Sequence, residues 1–310
     1  MASRSCYECD STQGSRTRLR DGRMVCDNCL DGYLYDLGMY EPGPEVHGKA
    51  TSRFSKRLVG VEIETGDGAT AGKFVREYIR SMRTWAYKED GSLNDGGMEL
   101  VSPPVSGGAI PLHINKVYRL LKKHGVDMTD DSAGCHIHVD MRDVFSHIKA
   151  KPASVQFISQ WGDLLVDVVR RMVDSDRAEN CYCSDSFGYR NGSDRKEFLP
   201  KSLPFGDAAV ALRVNTMEFR IWSIADRPDL TLARAEFCQR VVDYLDKTIQ
   251  GDTLSGFKEW KDAATHLRLR ANFKPLAKLL GLSPKTVKEF SEFSEHRSME
   301  ILELALEEVG

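Results

Sequence analysis

Three short segments of this chain alternate apolar residues with glutamate, histidine or arginine, and this alternation constrains the fold more than any other feature. The segments are GVEIET at 60–65, GCHIHVD at 134–140 and TMEFRIW at 216–222. Side chains two residues apart on a β-strand point to the same face of a sheet. Each segment therefore predicts a strand with one apolar and one polar face. The apolar faces carry Val61, Ile63, Cys135, Ile137, Phe219 and Ile221. The polar faces carry Glu62 with Glu64, His136 with His138, and Glu218 with Arg220.

The polar faces of these strands predict a site for divalent cations. A solvated strand also alternates, so one such pair is ordinary. Exposed strand faces often use Thr, Lys and Ser, whereas these three use only groups that bind cations or phosphate. If the strands are neighbours, their carboxylates repel one another unless a cation neutralises them. We therefore expect Mg²⁺ or Mn²⁺ on this face.

Two further acids that are candidates for the site, Asp90 and Glu99, lie in the stretch KEDGSLNDGGMELVSPP at 88–104. Glu99 falls in a predicted strand that Pro103 and Pro104 end, so it is a candidate carboxylate ligand. Asp90 precedes Gly91 in a pair typical of turns. It therefore either shapes a loop or adds a polar group to the site.

The rest of the pattern predicts an α+β domain in which helices pack on a sheet. β-Branched and aromatic residues predict strands, and apolar residues at helical spacing predict amphipathic helices. The predicted strands are 58–65, 84–89, 97–102, 134–141, 209–215 and 216–223. The predicted helices are 72–83, 111–125, 154–175 and 230–249, with further helices beyond Gly251.

Two Cys-x-x-Cys pairs predict a small zinc module at the beginning of the sequence. Cys6 and Cys9 are separated from Cys26 and Cys29 by sixteen residues, which is the spacing of a four-thiolate structural zinc site. Disulfides or free thiols are the alternatives. The arginines between the pairs either line a solvated hairpin or contact phosphate or an acidic partner.

Composition indicates a globular protein in a reducing cytoplasm. The 310 residues are 41% hydrophobic and carry a net charge of −3, which argues against nucleic acid as a main partner. No signal-peptide core or membrane-spanning apolar run is found. In such a compartment Cys135 and Cys238 are expected to be core thiols. A nucleophilic role for Cys181 and Cys183 with His138 is a less favoured alternative.

The motifs GVEIE, EDGSL followed by MELVSPP, GCHIHVD and TMEFRIW, in this order, resemble those of the amidoligases of the carboxylate–amine ligase superfamily. The resemblance covers roughly residues 58–250. It implies the glutamine synthetase fold, with a curved antiparallel sheet whose carboxylates hold Mg²⁺ and ATP. It also implies a reaction in which a carboxylate substrate is phosphorylated to an acyl phosphate, and an amine then displaces phosphate to form an amide.

The resemblance implies a role for each matching residue. Glu62, Glu218 and one histidine, for which His136 is favoured, would hold one metal ion. Glu64 and Glu99 would hold another. Arg220 would steady the transferred phosphoryl group, which makes Arg220, Glu62 and Glu218 the expected catalytic residues. The expected contacts to the nucleotide are Arg220, His138, Asp90 and Arg177, the last within the polar stretch RAENCYCSD.

These observations divide the chain into a zinc module at 1–40, a linker at 41–57, a catalytic domain at 58–252 and a helical extension at 253–310. The sequence does not rank amino acids, peptides or proteins as the carboxylate and amine substrates, and it leaves the oligomeric state open. Two rival functions are open. One is a metal-dependent hydrolase or phosphotransferase that uses the same Glu and His cluster, and the other is a non-catalytic protein that binds a partner through the zinc module.

Overall fold

Nine strands and seven named helices follow one another in the described part of the chain. The computed structural model describes residues 5–7, 9–12, 16–18, 22–26, 29, 42–70, 72–88, 93, 97–130, 132–172, 184–189, 199, 208–270 and 272–291. The strands are β1 (Arg16–Arg18), β2 (Met24–Cys26), β3 (Val59–Thr65), β4 (Ala86–Lys88), β5 (Met98–Val101), β6 (Gly134–Asp140), β7 (Ser184–Tyr189), β8 (Ala208–Leu212) and β9 (Thr216–Ser223). The helices are α1 (Gly72–Ser81), α2 (Ala109–His124), α3 (Arg142–Ala150), α4 (Val155–Arg170), α5 (Pro228–Gln250), α6 (Thr253–Arg270) and α7 (Lys274–Leu280). Residues 284–291 are also helical.

Seven of the strands form one sheet in the order β4-β5-β3-β6-β9-β8-β7. All neighbouring strands are antiparallel except β7 and β8, which are parallel. The three strands singled out from the sequence, β3, β6 and β9, lie side by side in the middle of the sheet. The α+β class predicted from the sequence is confirmed, as are the strands and the four helices predicted before Gly251.

The apolar face of the central strands is fully buried, as the alternation predicts. Val61 and Ile63 of β3 and Ile137 of β6 have no exposed surface. Helix α5 packs against β3 and β6, and α4 packs against β7 and β8. Burial of these side chains is the main favourable contribution to folding, at roughly 25 cal/mol per Å² of apolar surface.

A β-bulge interrupts the predicted alternation near the end of β9. Ile137 pairs with Phe219, but Cys135 pairs with Trp222, so β9 has one extra residue between the two pairs. The indole of Trp222 then packs edge-on against Phe237 of α5, with ring centroids 6.3 Å apart. Ile221 is buried in the hydrophobic core, as expected, and the bulge brings Trp222 into the same core.

Two elements were not predicted from the sequence. Helix α3 buries Val144, Phe145 and Ile148, a short stripe within a polar stretch. Strand β7, with the sequence SDSFGY, is an edge strand poor in β-branched residues. Strand β7 lies close to α4. A Cβ atom on Gly162 of α4 would be 2.0 Å from the ring of Phe187 of β7, so only glycine permits this approach.

The segments outside the predicted catalytic domain contact its elements. Strands β1 and β2 form the antiparallel hairpin expected between the cysteine pairs. In the predicted linker, the Arg57 guanidinium, only 8% exposed, pairs with Asp143 of α3 and with Asp243 and Asp246 of α5. Helix α6 packs on α4 and α5. Among the described residues, no helix has the length and apolarity required to span a bilayer.

Candidate active site

The polar face of the central sheet brings together acids and histidines from four strands. Antiparallel register places Glu62 of β3 opposite His136 of β6, and Glu64 opposite Glu99 of β5. On the other side of β6, His138 is opposite Glu218 of β9. Cross-strand partners have Cβ atoms about 5 Å apart, so the register itself builds a continuous polar cluster.

Glu62 lies between the two histidines. Its Oε2 atom is 3.2 Å from Nδ1 of His136, and its Oε1 atom is 3.2 Å from Nε2 of His138. The second nitrogen of His136, Nε2, is 3.4 Å from Oε1 of Glu64. Nε2 of His138 is also 3.7 Å from Oε1 of Glu218. One carboxylate is therefore shared by the two halves of the cluster.

The cluster is buried but its histidines are not fully hydrogen-bonded. The Nε2 atoms of His136 and His138 are buried and have no hydrogen-bond partner among the described residues. Buried polar atoms are nearly always satisfied, and an exception calls for a ligand, ion or water. Both atoms lie beside carboxylate oxygens, so a cation bound between them would complete their coordination.

The charges of the cluster alter the pKa values of its members. Burial alone would raise the pKa of Glu62, but the charges of His138 and His136 and the hydrogen bond with His136 outweigh burial and hold that pKa well below its usual value. Burial would lower the pKa of each imidazole, but Glu62 and its neighbouring acids raise both above the usual value. Glu62 and the two histidines thus favour each other's charged forms.

The pKa of Glu99 shifts in the opposite direction to that of Glu62. Burial, followed by the charge of Glu62, raises the pKa of Glu99 to about 8. The ammonium of Lys88, 3.8 Å away, offsets part of this effect. A divalent cation would favour the ionised form, so this carboxyl is suited to a metal site.

On this face, two sets of described side chains have ligand atoms close enough to hold a metal ion. One set is Glu62, Glu99 and His136, and the other is Glu62, His138 and Glu218. Within each set the ligand atoms lie within 4.8 Å of one another. The structure therefore groups His138, rather than the favoured His136, with Glu62 and Glu218. It groups Glu99 with Glu62 and His136, while Glu64 contacts His136 from the side.

Two arginines contact Glu218, at the β9 end of the cluster. The Nη1 atom of Arg220 donates a hydrogen bond to Oε1 of Glu218 over 3.1 Å. Arg213, which sequence reasoning did not select, places its Nε 2.6 Å from Oε2 of the same carboxylate. The sequence signal for Arg213 is its place just before the β8–β9 turn, five residues from Glu218. The polar face therefore carries acids without arginines on β3 and β5, and an acid paired with two arginines on β9 and just after β8.

Two expected nucleotide contacts, Asp90 and Arg177, lie outside the described residues. Cys181 and Cys183 also lie outside them. Their predicted roles stay predictions. Cys135 and Cys238, which were expected to be core thiols, are fully buried, and burial raises the pKa of Cys135 to about 11.

The four N-terminal cysteines converge, as the zinc module predicts. Their ligand atoms lie within 4.8 Å of one another, and the Sγ atoms of Cys9 and Cys26 are 3.7 Å apart. This distance is far longer than a disulfide bond of about 2.05 Å. The backbone N–H of Cys26 donates to Sγ of Cys6 over 3.3 Å. The geometry favours a shared ion rather than disulfides.

A comparison with protein families supports the resemblance seen in the sequence. The model of a family described as "Putative amidoligase enzyme" matches residues 81–190, which confirms that resemblance. The matched range includes Glu99, His136 and His138 and ends before Glu218. A solved structure described as "Crystal structure of novel glutamine synthase homolog" is 10% identical, with a TM-score of 0.36, and the alignment covers 90% of this chain and 72% of that one. No curated protein matches the chain.

Proposed function

We propose that this protein is an ATP- and Mg²⁺-dependent carboxylate–amine ligase that forms an amide bond through an acyl phosphate. The amidoligase family match supports a ligase-type activity. The observation that carries the proposal is the shared position of Glu62, which joins two candidate metal sets on one sheet face. Two arginines lie at the end of the same face.

The acidic part of the face would hold the metal ions. Glu62, Glu99 and His136 would hold one Mg²⁺ or Mn²⁺, and Glu62, His138 and Glu218 would hold a second. Glu64 would orient His136 from the side, since its Oε1 lies 3.4 Å from Nε2. When bound, such ions neutralise the negative charge that develops on phosphoryl oxygens during transfer.

The chain's own residues would then position the substrates. Arg220 would direct its positive charge at the transferred phosphoryl group from β9, and Asp90 and Arg177 would contact the nucleotide, whereas His138 is assigned to the metal site. The substrate carboxylate oxygen attacks the γ-phosphorus and ADP leaves, which gives an acyl phosphate. The amine nitrogen then attacks the acyl carbon, phosphate leaves, and the nitrogen loses a proton. Burial of His136 and Glu218 would limit the access of water, which would otherwise hydrolyse the acyl phosphate.

The zinc module would have a separate, structural role. We propose that Cys6, Cys9, Cys26 and Cys29 hold one Zn²⁺, because four soft thiolates select zinc whereas carboxylates select Mg²⁺ or Mn²⁺. A four-thiolate site has no open position for a substrate. Zinc would therefore stabilise the β1–β2 hairpin without entering the reaction.

Calorimetric titration with ATP tests the proposed activity. The full chain should bind ATP when Mg²⁺ or Mn²⁺ is present and bind it much more weakly in excess EDTA. Glu62→Gln should abolish this metal dependence, since it removes the shared ligand. Glu77→Gln, on the outer surface of α1, is the matched control and should leave it unchanged.

A second assay addresses amide formation itself. ADP release should appear when pools of carboxylates and amines are supplied together, and it should require both pools. If the protein binds no ATP with either metal ion, the ligase proposal is wrong. If ADP forms equally well without any amine, the protein is instead a hydrolase or phosphotransferase.

A further inference from the structure

Arg213 lies on the polar face at the turn between β8 and β9. Ala211 of β8 pairs with Glu218 of β9, and Leu212 pairs with Met217. The backbone N–H of Arg213 donates to the carbonyl of Thr216 over 2.8 Å, which fixes the turn. Because Arg213 is two residues beyond Ala211, it shares the face of Glu218.

One edge of the Arg213 guanidinium binds the carboxylate of Glu218. Its Nε is 2.6 Å from Oε2 and its Nη2 is 3.2 Å from Oε1. This bidentate contact fixes the plane of the guanidinium. The remaining nitrogen, Nη1, has no hydrogen-bond partner among the residues that the structure describes. Arg213 therefore retains N–H donors after it has paired with Glu218.

Arg213 and Arg220 differ in their accessibility. The side chain of Arg220 is 9% exposed, and its Nη1 bonds to the fully buried Glu218. The side chain of Arg213 is 33% exposed. Arg213 is thus the outer of two arginines on one carboxylate, and the one that an incoming anion can reach more readily.

We propose that Arg213 binds an oxygen of the terminal phosphate of ATP through Nη1 while its other edge holds Glu218. This inference rests on the proposed function, because it requires that the polar face binds ATP. A guanidinium suits the task since it stays charged and its fork can serve a carboxylate and a phosphate at once. Lysine, as a single point charge, cannot hold both groups in a fixed plane.

A purely structural role for Arg213 leads to a different expectation. If Arg213 serves only as a counter-ion for Glu218, its replacement would disturb the whole site and weaken the binding of all nucleotides equally. Arg220 also donates to Glu218, so Glu218 should keep a charged partner when Arg213 is replaced. The folded state should therefore persist in the variant, which makes nucleotide selectivity a usable measurement.

The experiment compares a non-hydrolysable ATP analogue with ADP, both with Mg²⁺, by calorimetric titration. Arg213→Met should weaken binding of the analogue by about 10-fold or more, the value of a lost hydrogen bond between charged groups. Binding of ADP should change by less than about 3-fold, within the effect of a weak surface charge. Arg213→Lys keeps the charge and should give an intermediate loss for the analogue.

Arg142→Met is the matched control, because Arg142 is half exposed and pairs with Glu45 and Asp140 at another part of the surface. It should bind both nucleotides like the wild type. Two results for Arg213→Met would overturn the inference and leave the ligase proposal intact. One is an equal loss of affinity for both nucleotides. The other is unchanged binding of the analogue by a variant that has the wild-type circular-dichroism spectrum. If the wild type binds neither nucleotide, both proposals fail together.

Discussion

At the scale of single residues, Glu218 combines two demands that normally conflict. It is a candidate metal ligand, yet it is also the fully buried partner of Arg213 and Arg220. Burial would raise the pKa of its carboxyl, but His138 and the Arg213 guanidinium outweigh that effect and lower it. Glu218 therefore stays ionised and supports folding as well as the site.

Replacing Glu218 tests that structural contribution. Glu218→Gln should destabilise the protein by about 3 kcal/mol, because two guanidinium groups lose a buried partner. Urea unfolding measures this change directly. The control is Glu45→Gln, since Glu45 is 38% exposed and pairs with Arg142, and its loss should cost less than about 1 kcal/mol. If Glu218→Gln also lowers the free energy of unfolding by less than about 1 kcal/mol, the fold does not require this carboxylate as a partner of the two arginines.

At the scale of elements, the central strands were predictable because their polar residues alternate strictly with apolar ones. The strand order and register were not, since they depend on pairing between segments more than 70 residues apart in the chain. The register decides which histidine joins which acids, so the alternation could identify Glu62, His136 and His138 but not their grouping. Arg213 was missed because a single arginine before a turn is a common surface feature.

The zinc module is an element that should depend on its ion. Cys26 ends β2 and its backbone N–H bonds to Cys6, so loss of its thiolate removes one of four ligands. Cys26→Ser should reduce the zinc content from about one ion per chain to near zero, since a three-thiolate site binds much less tightly. Elemental analysis of the purified protein measures this.

The matched control for this variant is Cys135→Ser, which alters a buried thiol of β6 outside the module. It should retain zinc at the wild-type level. Wild-type protein without zinc, or Cys26→Ser with unchanged zinc, would remove the proposed role of the four cysteines.

At the scale of the whole molecule, buried Glu236 of α5 contacts both the predicted linker and the predicted helical extension. Its Oε2 atom accepts from Nε of Arg53, 2.6 Å away in the predicted linker. The same carboxylate accepts from the backbone N–H of Ser283 and from the hydroxyl of Thr286, where residues 284–291 form a helix. The sequence could assign helices beyond Gly251, but not this contact, because a lone glutamate in a helix is usually exposed.

Breaking this contact should affect the stability of the entire fold. Glu236→Gln should destabilise the protein by about 3 kcal/mol, since it leaves Arg53 without its buried charge partner. The unfolding transition should remain a single step if the three segments unfold together. Glu259→Gln on α6 serves as an exposed control. A separate early transition, or an effect below about 1 kcal/mol, would contradict the proposed coupling of these segments.

Melting curves with and without Mg²⁺ or Mn²⁺ show whether the polar face of the sheet binds divalent cations through Glu62. A ligand that binds only the folded state stabilises it more when its affinity or concentration is higher. We expect the cation to raise the melting temperature of the wild type and of Glu77→Gln but not that of Glu62→Gln. An equal response in all three proteins would exclude Glu62 from the cation site and contradict the proposed site.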